Sequence, residues 1–164
     1  MEAQTAKAGH GLFADKYPDV PYEEKSRLWE AVKADARFPD YLYGCYECGI
    51  CVAACPSARF YDFSPRKIAQ AAAREDIDLI YEQMNDDVWN CSQCFSCNRC
   101  PRQNSPGGLI TIIREVSVKN GLKSAKQALE GYGRVIYKIM GTGTQVSPDM
   151  LQPDAFPDWG PQVR

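Results

Sequence analysis

Apolar side chains recur at helical spacing in several stretches of this chain. No alternation of apolar and polar residues around a two-residue glycine turn, the mark of a hairpin, is present. Over Tyr22–Arg37, Leu28, Trp29, Val32 and Ala36 share one side, leaving Glu23, Lys25, Glu30 and Lys33 for water, and Pro39 closes that helix. Ser64-Pro65 has the form of a helix start, a capping hydroxyl followed by a proline whose missing N–H is not needed there. Ile68, Ala71 and Ala72 then give the helix a buried side. Asp76 is a second cap, ahead of Ile77, Ile80, Met84 and Val88 on one face. Ser105-Pro106 repeats the start signal before Leu109, Ile112, Ile113 and Val116, and Asn120-Gly121 ends that helix. A last stripe, Leu122, Ala125, Leu129, Tyr132, Ile136 and Ile139, is interrupted by Gly131 and Gly133. The expectation is an all-α protein: residues 1–40 an N-terminal arm and helix, 41–140 the main domain, and 141–164 an extended, proline-rich tail.

Composition narrows the function. The hydrophobic fraction of 45% in 164 residues supports one modest core. A net charge of −2 gives no basic footprint for nucleic acid. No apolar run approaches the roughly 20 residues of a membrane span. Met1–His10 lacks an apolar signal core, so the cytoplasm is the expected compartment.

The eight cysteines change the picture. All lie in two tight runs, which in a chain read as cytoplasmic favours metal or redox chemistry over disulfides. The first run is Cys45-x2-Cys48-x2-Cys51-x3-Cys55-Pro56, the bacterial ferredoxin spacing. Three thiolates on one loop can reach three irons of a cube, and the fourth usually points to the other cluster. By that crossed rule Cys45, Cys48, Cys51 and Cys100 hold one [4Fe–4S] cluster, and Cys91, Cys94, Cys97 and Cys55 hold the second. Cys45, Cys48 and Cys51 match Cys91, Cys94 and Cys97 at a constant offset of 46 residues, an internal repeat of loop and helix. The second run, Cys91-x2-Cys94-x2-Cys97-x2-Cys100-Pro101, is one residue short. That shortens the reach of Cys100 and leaves a three-iron or labile cluster as the alternative at its site. Structural zinc on C-x2-C pairs is the competing metal, though it has no need of this pattern twice over.

Neighbouring residues fit a cluster. Gly44 and Gly49 allow close backbone approach, and Pro56 and Pro101 set the chain direction. Ile50, Val52, Ala53, Ala54 and Phe95 are candidates for a dry shell. Arg59, Arg99 and Arg102 are candidates to offset negative charge, or else ordinary solvated cations. His10 is the sole histidine and sits in the polar arm, so hydrolytic constellations lack their base. Gly107-Gly108 and Gly141-x-Gly143 sit in no strand–turn–helix context for a dinucleotide. Trp29 and Trp89 are expected in the core. Phe156 and Trp159 in the tail are candidate anchors to another subunit, or fold back on their own domain.

With the paired runs, the helical spacer between Cys55 and Cys91 and the Ser64-Pro65-Arg66-Lys67-Ile68 helix start, residues 40–140 resemble the C-type polypeptide of heterodisulfide reductases and their relatives. The resemblance implies the α-helical ferredoxin fold of the cluster domains of succinate dehydrogenase and fumarate reductase. It also implies a relay between a flavin-bearing A-type subunit and a B-type subunit with Cys-Cys-Gly motifs. Those complexes act on the mixed disulfide of coenzymes M and B, or on sulfur carried by lipoate-binding proteins. This chain has no Cys-Cys pair, so it resembles the relay and not the catalytic partner. Two other readings remain at this point: a relay for a flavin dehydrogenase or quinone reductase, and a zinc-organised interaction module.

Overall fold

The computed structural model describes residues 20–143, and among them every regular element is helical. Seven α-helices follow in order: α1 Tyr22–Lys33, α2 Phe38–Tyr41, α3 Ile50–Ala53, α4 Pro65–Arg74, α5 Ile77–Asn85, α6 Pro106–Lys119 and α7 Lys123–Thr142. Short 3-10 turns cover Ser57–Arg59, Asp87–Asn90 and Ser96–Asn98. The chain divides into two compact units, Met1–Gln127 and Ala128–Arg164. His10, Phe156 and Trp159 lie outside the described residues.

The first unit is organised around α6. Leu109, Ile110, Ile112 and Ile113 are all but completely buried, because α1, α2, α4 and α5 each pack against this helix. A helix apolar on nearly every side belongs in the middle of a small bundle. Burying each of these side chains contributes about 1.5–3 kcal/mol before cavity effects. Leu28, Trp29 and Val32 of α1 close one side of the core, with Trp29 meeting Phe38 edge-on at 5.5 Å. Trp89 is only partly buried, its indole N–H donating to the Met84 carbonyl at 3.0 Å.

The three capping signals work as read. The Ser64 hydroxyl accepts from the Lys67 N–H at 3.3 Å, the Asp76 carboxylate from the Leu79 N–H at 3.1 Å, and the Ser105 hydroxyl from the Gly108 N–H at 3.2 Å. Asn120 caps α6, and Gly121 turns the chain with φ +67°.

The first helix differs from the expectation. It stops at Lys33, not Arg37, and Ala36 is exposed. Asp35 is the cause. Its carboxylate accepts from the Arg37 N–H at 2.9 Å, a local bond that competes with continuing the helix. Arg37 then reaches Glu115 of α6 at 2.7 Å, and this guanidinium holds both carboxyls below their usual range. Pro39 falls in the first turn of α2, where its missing N–H does no harm. The second unit, as described, contains the remainder of α7, which runs without a break through Gly131 and Gly133.

If α6 is the centre of the bundle, Ile112→Ala should lower stability by about 2–5 kcal/mol, followed by helical circular dichroism in denaturant. A loss below about 1 kcal/mol would be that of a peripheral position, not a core one.

Candidate metal centre

Two loops of similar backbone carry the cysteines. In the first, Glu47 and Gly49 adopt left-handed φ values of 59° and 79°. In the second, Gln93 and Phe95 do the same at 57° each, so the 46-residue offset of the cysteines is also the offset of the turns. Such turns direct successive N–H groups to one side and favour negative charge there. Accordingly the Glu47 N–H faces the Cys45 sulfur at 3.4 Å, and the Gln93 N–H faces the Cys91 sulfur at 3.4 Å. Glu47, Gln93 and Phe95 hold this conformation against a steric cost of about 1–2 kcal/mol each.

Cys45, Cys48, Cys51 and Cys100 line one recess of about 360 Å³, counted with its open mouth. Gly49, Arg66, Arg102 and Asn104 complete its wall. Cys100 comes from the second run, and two contacts bring it there. Asn104 is buried, accepting from the Tyr43 N–H at 2.6 Å and donating to the Gly44 carbonyl at 2.6 Å. Next to it, the Ser105 N–H donates to the Tyr41 carbonyl at 3.0 Å. The segment after Cys100 is thereby laced to the segment before Cys45.

Cys91 feels the charges of Cys55 and Cys94, and Cys97 those of Cys91 and Cys55. Burial is the main cause that raises the Cys91 thiol, and it pushes Cys97 up to about 11 against the pull of the Gly107 amide. Burial also raises Cys51, whereas the Ser96 hydroxyl lowers the exposed Cys94. Metal binding to the raised thiols must therefore expel protons. Helix α3, which starts just before Cys51, packs on the 3-10 turn that contains Cys97, so the two sites are neighbours.

The short second run differs in local structure from the first. Cys51 lies in the α-turn Ile50–Ala53, whereas Cys97 lies in the 3-10 turn Ser96–Asn98, which ends before Cys100, and Cys100 still lines the recess with Cys45, Cys48 and Cys51.

Several residues emerge only from the fold. Arg114 of α6 donates to the carbonyls of Val88 at 2.8 Å and Cys91 at 2.6 Å. Gly107 lets α6 approach the second loop. A Cβ there would meet the Phe95 ring at 2.9 Å and the Cys97 sulfur at 3.4 Å. Glycine and proline signals flagged this helix start, but nothing local singled out Asn104, Arg66 or Arg114. Of the candidate cations, Arg102 lies in the recess wall and donates to the Tyr43 carbonyl at 2.8 Å, while Arg59 and Arg99 are exposed. The expected dry shell is only partial. Val52 and Ala54 are half-buried, but Ala53 is exposed, as are Ile50 and Phe95, which sit at the ends of the left-handed turns.

Residues 41–104 match the family described as a 4Fe-4S dicluster domain. The chain is 38% identical over 113 residues to the C-type polypeptide of the ferredoxin:CoB-CoM heterodisulfide reductase of Methanosarcina acetivorans, covering 67% of this chain and 44% of that protein. It is 36% identical over 81 residues to the C2-type polypeptide of the H2/formate:CoB-CoM heterodisulfide,ferredoxin reductase of Methanococcus maripaludis, covering 49% of this chain and 42% of that one. The chain is similar to the C-type iron–sulfur subunits of heterodisulfide reductases. To the C-type iron–sulfur polypeptide of the Methanopyrus kandleri CoB–CoM heterodisulfide reductase it is 31% identical over 108 residues, covering 65% of this chain and 54% of the relative. It thus spans about half the length of the relatives it matches. The family's dicluster domain and the motifs at 45–55 and 91–100 accord with two [4Fe–4S] clusters, and zinc is not what that family describes. Among the described residues, no helix is long and apolar enough to cross a membrane.

Asn104→Ala would leave a backbone N–H and a carbonyl without their partner, at about 1–3 kcal/mol. Iron release to a chelator, followed anaerobically by visible bleaching, should speed up in this variant. Asn120→Ala, at the far end of α6, should leave the rate unchanged.

Proposed function

We propose that this chain is the electron-transfer iron–sulfur subunit of a heterodisulfide-reductase-type complex. In this reading residues 41–140 form an α-helical ferredoxin domain, preceded by an arm and helix over 1–40 and followed by a tail over 141–164. Cys45, Cys48, Cys51 and Cys100 hold one cluster; Cys91, Cys94, Cys97 and Cys55 hold the other. The observation that carries the reading is the recess lined by Cys100 together with Cys45, Cys48 and Cys51. A site confined to one motif would have used Cys55, and the lacing by Asn104 supports the crossed set.

When bound, the cubes supply one-electron redox chemistry, at potentials set by hydrogen bonds, charge and exposure. The chain supplies the rest. The Glu47 amide faces the Cys45 sulfur, and the amides of Gln93 and Gly107 favour the deprotonated form of Cys91 and Cys97. Arg66 and Arg102 place positive charge in one recess wall. The packing of α3 on the Ser96–Asn98 turn keeps the two sites adjacent, as a relay requires.

The partners in this proposal are a flavin-bearing A-type subunit and a Cys-Cys-Gly B-type subunit that acts on a disulfide or sulfur substrate in the cytoplasm. The relatives' names support the disulfide side. They join the CoB-CoM heterodisulfide to different electron sources, ferredoxin in one and H2 or formate in another. The chain's lack of a Cys-Cys pair supports a relay over thiol–disulfide catalysis.

Anaerobically purified protein should contain about eight irons, the content of two cubes, and give spin-coupled EPR signals when reduced. Cys100→Ser should remove or convert one cluster and Cys55→Ser the other, each lowering the iron count while one signal survives. Zinc without paramagnetism would defeat the relay. Two intact signals in Cys100→Ser would defeat the crossed assignment.

A further inference from the structure

The two cysteine loops show solvent different chemistry. Cys48 and Cys94 are both exposed, so each site has an edge at the surface. Beside Cys48 stand Tyr46 and Tyr43, 66% and 47% exposed. Arg66 and Arg102 lie in the recess wall, and Arg74 pairs with Glu47 at 2.6 Å. Arg66, Arg74 and Arg102 thus bring three guanidinium groups to this edge; Arg74 pairs with the Glu47 carboxylate, and Arg66 donates to the Glu47 carbonyl at 3.4 Å. A wider depression of about 590 Å³, lined by Tyr43, Tyr46, Pro101, Arg102 and Gln103, shares Tyr46, Pro101 and Arg102 with the recess. Around Cys94 the sequence is Ser92, Gln93, Phe95 and Ser96, with no charged residue between Cys91 and Asn98.

We infer that the Cys48 edge is the docking port for a redox partner protein whose contact surface sets carboxylates around an apolar centre. The inference rests on the relay reading above and names the chemistry of one partner. Exposed tyrosine and arginine side by side are the side chains that dominate protein contacts. Arg102 is already ordered. It donates to the Tyr43 carbonyl at 2.8 Å and the Tyr46 hydroxyl at 2.6 Å, and lies 4.9 Å from the Tyr46 ring centre. A side chain held in place before contact loses less entropy on binding. The local sign also opposes the whole. The polypeptide carries a net charge of −2 and a bound cube adds more, yet the side chains around Cys48 are net positive, so they counter that charge and draw anionic groups to this edge.

The test uses two small one-electron oxidants, anionic Fe(III)–EDTA and cationic hexaamminecobalt(III). In the first case one electron leaves the reduced holoprotein and Fe(III)–EDTA becomes Fe(II)–EDTA; no bond to the protein is made. Oxidation is followed by stopped-flow absorbance at low and high ionic strength. The anionic probe should slow as salt rises and the cationic probe should quicken, the reverse of what a net charge of −2 would give. At low salt, removing both charges in Arg66→Gln/Arg102→Gln should slow the anionic probe about tenfold. Glu47→Gln should accelerate it, and poly-L-glutamate should inhibit wild type but not the double variant. Iron content is measured first, because Arg102 also anchors backbone. If the double variant loses iron, the wild-type salt series and Glu47→Gln decide. An anionic rate that rises with salt, or that ignores Glu47→Gln, overturns the port and leaves the relay standing. A preparation without iron fails the relay reading before any rate is measured.

Discussion

The contact on which this architecture depends is the pair of hydrogen bonds from Asn104 to the backbone of Tyr43 and Gly44. A cube needs thiolates from more than one direction, and a tight loop offers only one. In the proposed ligand set that further direction is supplied by Cys100, which comes from far along the sequence to line the recess of Cys45, Cys48 and Cys51. Asn104 brings it there through backbone groups, the Tyr43 N–H and the Gly44 carbonyl, and Gly44 adopts a left-handed φ of 92° there that a side chain would strain. Because Asn104 is buried, water cannot substitute for either bond, and the clamp is correspondingly costly to lose. Helix α6 begins two residues later, so the site is tied directly to the centre of the core.

Burial of the sulfurs gives the same site its chemical direction. Cys51, Cys91 and Cys97 are raised by desolvation, which disfavours a bare thiolate. Amides from Gln93 and Gly107 work the other way on Cys91 and Cys97 without bringing formal charge. Cys51, Cys91 and Cys97 are thus poor nucleophiles by themselves, and a metal bound there would displace their protons. That balance separates a structural ligand from the activated thiol of a disulfide enzyme.

Much of this was legible in the sequence, because the signals were local. The serine and aspartate caps, the proline starts and the apolar stripes each depend on a few neighbours, and helices α4, α5 and α6 begin where those signals lie. The two cysteine runs were legible for the same reason. What escaped was non-local or a matter of competition. Asp35 ends α1 early through a side-chain bond that periodicity does not register. Asn104 and Arg114 act on backbone groups 60 and 23 positions away, and no spacing rule reaches that far. The hydrophobic shell was overestimated because apolar residues beside a cysteine motif do not have to point inward. Left-handed turns at Gly49 and Phe95 leave Ile50 and Phe95 at the surface.

The repeat shows how two copies of one loop come to differ. Where the first copy has glycine at position 49, the second has Phe95 in the same left-handed conformation. Strain that glycine would relieve is kept, and the ring leans on Gly107, where even a methyl group would collide. Where the first copy has the α-turn Ile50–Ala53, the second has the 3-10 turn Ser96–Asn98. The left-handed turns recur at one offset while their surroundings differ. One edge has exposed tyrosines with Arg66, Arg74 and Arg102; the other has hydroxyls, a phenyl ring and Arg114 on the Cys91 carbonyl. A relay has two ends that must not be confused, and a duplicated loop starts with both alike. In the proposed relay the ends would be told apart both by residues within the loops, Tyr46 and Phe95, and by Arg66, Arg74 and Arg102 brought in from outside them, while the cysteine spacing common to the loops is kept.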